Sequence, residues 1–137
     1  MHTVQLLLKP SKYERYEIDR RFRALAHLHN VCVKHARKCM VRLQYDKDYT
    51  ALRQQYLELS KKLLKKEELS KEDKAEKKAL SAQLAERRSA YGLSKSALES
   101  YLKVCGKQFS KLLSSQQVQA EADRVWCGVE RCLFGNG

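Results

Sequence analysis

SKYERYEIDRRFRALAHLHNVCVKHARKCMVRLQY, residues 11–45, joins a helical apolar rhythm to the densest positive charge in the chain. Its apolar positions, Phe22, Leu25, Leu28, Cys32, Ala36, Cys39, Met40 and Leu43, follow the three-and-four spacing of a helix with one buried stripe. One face is expected to pack and the other to be basic. Between Lys9 and Arg42, ten cations (Lys9, Lys12, Arg15, Arg20, Arg21, Arg23, Lys34, Arg37, Lys38 and Arg42) stand against Glu14, Glu17 and Asp19. That is a net +7 of the chain's +12, held in a quarter of its length.

Ser11 and Glu14 form an S-x-x-E capping signature, so a first helix is predicted over residues 12–24 and a second ending near Gln44. No Gly or Pro separates them, and Asn30 is the one local candidate for disturbing the ladder. Upstream, TVQLLL at residues 3–8 reads as a short strand ending at Lys9-Pro10. A lone strand must pair with a copy of itself in another chain, lie against helices, or join a sheet supplied elsewhere.

Downstream, residues 48–91 turn to Lys, Glu, Leu and Ala with Leu52, Tyr56, Leu59, Leu63, Ala79, Leu80 and Leu84 at helical spacing. Ser70 with Asp73 starts a second capping signature, so two long arms should fold back as an antiparallel hairpin breaking near Leu69. Its eight Lys and five acids between Lys61 and Lys78 read as a solvated face. Gly92 breaks the next helix, Ser94 caps a short one that Gly106 can end, and a last helix over residues 115–133 carries Val118, Ala122, Val125, Trp126 and Val129. Trp126 is expected to anchor the core.

The fold class expected is therefore mainly α: a helical bundle with a long antiparallel charged helical hairpin and one short N-terminal β-strand. Residues 1–137 form a single module, divided into strand 3–8, basic helices 11–45, hairpin 48–91 and C-terminal helices 94–134. A chain of this length can bury roughly two-thirds of its unfolded surface. No apolar run approaches the ~20 residues that cross a bilayer, and no signal-peptide pattern follows Met1, so a cytoplasmic location is expected. Cys32, Cys39, Cys105, Cys127 and Cys132 form no CxxC and are read as reduced thiols, those on the apolar stripes acting as small hydrophobes. His35 and Cys39 share a helix face, but no second ligand pair stands at finger-like spacing.

Catalytic patterns are sparse. Acids lie singly on charged helix faces, whereas a two-metal nuclease needs carboxylates converging from separate elements. There is no Gly-rich phosphate loop and no nucleophile elbow, and His27, His29 and His35 read as surface or packing residues. The chain alone is expected to be non-enzymatic and to carry no cofactor.

The order of an apolar strand, LKPS, a basic helix and LAHLHNVCVKHA resembles the N-terminal region of the TnpB/OrfB proteins of insertion sequences, relatives of small type V CRISPR effectors. YGLSKSALESYL and VQAEADRVWCGVERCLFGNG are similar to later helices of that region, and the likeness spans nearly the whole chain. The resemblance implies part of a longer RNA-guided DNA endonuclease. Its strand would belong to a wedge barrel and its helices to a recognition lobe over the guide–target duplex. The nuclease carboxylates and zinc ribbon would lie downstream.

Three functions compete. The leading expectation is a nucleic-acid-binding recognition module whose partners are guide RNA and DNA or an RNA–DNA hybrid, contacted by the ten cations of residues 9–42, with no membrane partner. The competitor is a coiled-coil interaction module built on the hairpin, weakened by the lack of a sustained heptad. A helix-turn-helix regulator would need a glycine-containing turn between residues 11 and 45, and there is none.

Overall fold

Ser11 opens the longest helix by a reciprocal pair of bonds: its hydroxyl accepts from the Glu14 amide at 3.2 Å, and its own amide donates to Glu14 Oε2 at 3.0 Å. Helix α1 then runs Lys12–Gln44, 33 residues and about 50 Å. The two helices expected here are one. Asn30 faces solvent, where its amide leaves the backbone ladder intact, and the buried stripe continues through it. The computed structural model describes Lys9, residues 11–66, Glu68 and residues 70–134. The strand expected at residues 3–8 lies outside them.

Each following helix begins on a side-chain cap. Asp46 caps α2 (Lys47–Leu64), accepting from the Tyr49 amide at 2.9 Å. Ser70 caps α3 (Lys71–Ala90) and Ser94 caps α4 (Lys95–Cys105). Ser114 and Gln117 bond reciprocally at the start of α5 (Ser115–Phe134). Among the described residues there is no sheet, and no helix is long and apolar enough to cross a membrane.

Helix α3 ends in a left-handed turn at Gly92, φ +80°. The Gly92 amide donates to the Ser89 carbonyl, and the Leu93 amide to that of Arg88. This is the six-residue glycine cap in which the next residue drops an apolar side chain into the core, here Leu93. Gly106, which begins a short 3-10 turn (Gly106–Phe109), allows α4 to close on α5: a Cβ there would meet both methyls of Val118 at 3.1 Å.

The core is a three-helix seam. Ala24, Leu28, Cys32, Ala36, Cys39 and Leu43 of α1 pack with Leu98 and Leu102 of α4 and with Val118, Ala122, Val125 and Val129 of α5. Burial pushes the Cys32 thiol up to about 11 and raises that of Cys39, consistent with small apolar fillers. Two expectations need correction. Phe22 is 65% exposed: α4 and α5 cover α1 only from Ala24 onward, so a correct periodicity there meets no partner. Trp126 is only partly buried, because it sits about 100° around α5 from Val125 and so on the edge of the seam.

The hairpin of α2 and α3 is antiparallel. Arg87 reaches Asp48 at one end, Lys77 lies over the Tyr56 ring in the middle, and Lys66 meets Asp73 at the other end. It joins the seam through Tyr49 and Leu84, and Arg88 stacks on the Phe134 ring of α5 at 4.5 Å. At the elbow between α1 and α2, the buried Asp46 carboxylate takes the Arg87 guanidinium at 2.6 Å.

That guanidinium, then the Tyr49 amide and the Tyr91 hydroxyl, hold the Asp46 carboxyl well below the usual carboxylate range. A depressed folded pKa contributes stability above the ordinary value of 3.8, lost as pH falls through the folded value. Thermal melts should therefore show the wild-type chain losing stability below about pH 4. Asp46→Asn should start lower at neutral pH and lose less on acidification, whereas parallel melting-temperature profiles would mean the pair contributes nothing.

Candidate nucleic-acid interface

With about 100° between successive residues, the side of α1 opposite the core carries Lys12, Tyr16, Arg20, Arg23, His27, Asn30, Lys34, Arg37, Lys38 and Val41. All ten are exposed. The stripe runs for about 40 Å along one continuous element, because no breaker interrupts α1 and the opposite face is locked into the seam. Near its C-terminal end, Asn30, Val33, Lys34, Arg37, Lys38, Val41 and Arg42 line a shallow concavity.

Of the ten cations singled out from the sequence, six share this outer stripe: Lys12, Arg20, Arg23, Lys34, Arg37 and Lys38. The other four do not. Arg21 stands seven residues before Leu28 and is in phase with the core line, exposed only because the helix has left the bundle there. Arg15 lies on the flank with Phe22, Arg42 borders the opposite edge, and Lys9 precedes the helix. The set of ten cations is thus narrowed by helical phase, which a count of charge along the chain ignores.

Among the described residues, only Arg20 of these ten is in an ion pair, with Glu17 at 3.2 Å. The other ion-paired carboxylates of the described residues lie elsewhere, on Arg87, Lys66 and the His29–Arg124 contacts of Glu121. Asp19 is the one carboxylate within the outer stripe itself. Apart from Arg20, the cations of the stripe stand without an ion-pair partner among the described residues.

His27, His29 and His35 each contact a side chain of another element. His35 stacks on Tyr101 with centroids 3.8 Å apart and its Nε2 3.7 Å from Cys39 Sγ. Burial, then the charges of Arg42 and Lys38, lower its pKa, so it adds no charge to the stripe at neutral pH. His29 Nδ1 lies 2.8 Å from buried Glu121, linking α1 to α5, and His27 sits edge-on to Phe109.

Charge counting also passed over the aromatics of the first turns. Tyr13, Tyr16 and Phe22 are exposed, as is Ile18; Tyr16 stands among the cations of the outer face and Tyr13 at its edge. The signal was present: Tyr13 and Tyr16 fall out of phase with the apolar stripe. Comparison with protein-family models, curated proteins and solved structures gives no match for this chain.

Proposed function

We propose that this chain is a nucleic-acid-binding helical module that grips sugar-phosphate backbone through the outer face of α1. The observation that carries the reading is the row of Lys12, Arg20, Arg23, Lys34, Arg37 and Lys38 on one exposed face of a continuous helix, nearly free of carboxylate partners. Each phosphate neutralised by such a residue releases condensed counterions, adding about 0.9 to the salt slope on a DNA duplex. Arginine adds a planar fork that matches phosphate oxygens. Such contacts are indifferent to sequence.

The resemblance of the sequence to TnpB/OrfB proteins supports a specific setting, the recognition lobe of an RNA-guided DNA endonuclease. In that setting the module holds guide RNA or target DNA by its backbone and leaves the cutting to residues outside this chain. Filter-binding titrations with RNA, DNA duplex and RNA–DNA hybrid at two salt concentrations test the proposal. Salt-sensitive, sequence-tolerant binding, roughly micromolar or weaker at physiological salt, is expected. If no nucleic acid is retained even at low salt, the interaction-module reading takes its place, with Leu57 and Leu64 of the hairpin as its exposed apolar contacts.

A further inference from the structure

Four large apolar side chains crowd the first three turns of α1: Tyr13, Tyr16, Ile18 and Phe22, exposed by 72%, 60%, 43% and 65%. Placing that much apolar surface in water on the most cationic part of a chain calls for a ligand that is both anionic and flat-faced. Helical phase divides the four. Ile18 and Phe22 line up with partly buried Leu25 and His29 along the flank of the seam. Tyr16 lies instead on the outer side, one turn before Arg20 and two before Arg23, and Tyr13 lies at the edge of that side, two turns before Arg20 and in line with it. The Arg20 guanidinium sits 5.7 Å from the centre of the Tyr16 ring, so a cation and an exposed ring are held side by side.

Three occupants could cover such a surface. A second copy of the chain would bring Lys12, Arg15, Arg20, Arg21 and Arg23 against themselves, which like-charge repulsion opposes. A partner helix needs an unbroken apolar row at three-and-four spacing, and here the row after Tyr16 is Arg20, Arg23 and His27. An unpaired nucleotide strand meets both demands, since its phosphates suit the arginines and its bases present open faces to the rings. A duplex offers the phosphates but keeps its base faces stacked away.

We infer that Tyr13 and Tyr16 form a stacking platform for unpaired bases, extending the backbone grip of α1 to a single strand of RNA or DNA. The inference rests on the phosphate-binding reading of the outer stripe and adds the ligand class. The cations hold the strand, and the two rings give a component that salt does not screen. Stacking of this kind is worth about tenfold in affinity per ring.

The test is fluorescence anisotropy with labelled oligo(U), oligo(dT) and a DNA duplex of equal length, at low and moderate salt. It uses the wild-type chain, the Tyr13→Leu/Tyr16→Leu variant and its Phe counterpart. Leucine is a good helix former at these exposed positions, and circular dichroism checks that α1 is kept. The single strands should bind more tightly than the duplex. The Leu variant should lose about 100-fold on single strands, about tenfold for each ring, and nothing on the duplex, and the Phe variant should bind as wild type. A ratio between oligo(U) and oligo(dT) reports which sugar is preferred. Equal binding by wild type and the Leu variant overturns the platform, as does an equal loss on strands and duplex. In both cases salt-sensitive binding through Arg23, Lys34, Arg37 and Lys38 leaves the broader reading standing. Absence of binding to all three probes overturns both. Displacement of the strand by poly-glutamate in wild type but not in the Leu variant would reassign the rings to a protein ligand.

Discussion

Replacing Arg23, Lys34, Arg37 and Lys38 together by Gln should flatten the salt dependence of duplex binding by up to three or four units, at about 0.9 per lost contact. At physiological salt this corresponds to an affinity loss on the order of 100-fold or more. The four residues lie on one exposed line of α1 and none is in an ion pair among the described residues, so nothing in the fold depends on their charge. Gln keeps helix propensity close to that of Lys and Arg. The sharper comparison uses single variants. Arg23→Gln should remove nearly one unit of slope, whereas Arg21→Gln, two residues away but in phase with Leu28, should change little. Equal effects of the two would show that local charge density, not the outer face, governs binding. Wild-type affinity in the fourfold variant would refute the interface.

Leu28→Ala should cost about 2–5 kcal/mol, and Phe22→Ala less than about 0.5 kcal/mol. Leu28 is completely buried where α1 enters the seam, so truncation leaves a cavity among side chains of three helices. Phe22 is a turn and a half earlier and loses only solvent contact. Against a total stability of about 5–15 kcal/mol, the Leu28 loss alone can leave the chain marginal. Urea denaturation followed by the fluorescence of Trp126, the single tryptophan, measures both. A large loss at Phe22 would mean that the first turns of α1 are covered after all.

Local chemistry was largely legible in the sequence. Ser11, Ser70 and Ser94 cap helices as their spacing predicts, Gly92 takes the left-handed turn, and the hairpin folds back close to its expected break. Tertiary reach was not. Periodicity marks which face of α1 is apolar, but the length of that face put to use is set by where α4 and α5 lie. This is why Phe22 is exposed although it stands in the apolar periodicity. Trp126 was grouped with Val125 and Val129 by type, although its phase puts it at the seam's edge. The Asp46–Arg87 pair joins residues 41 apart, and either one alone reads as an ordinary surface charge.

The uneven cover along α1 also sets how its backbone opens. Amides from Leu28 to Leu43 are released to solvent only when the seam between α1, α4 and α5 comes apart, so their exchange with deuterium reports global unfolding. Before Ala24 the same ladder opens by fraying, held among the described residues by its own propensity, the Ser11–Glu14 box and the Arg20–Glu17 pair. One continuous helix therefore holds two lifetimes along its length. A ligand gripping Tyr13 to Arg23 pays the entropy of quieting those turns, and its arrival is recorded as slow exchange spreading toward Ser11 while the bundle's own protection stays unchanged.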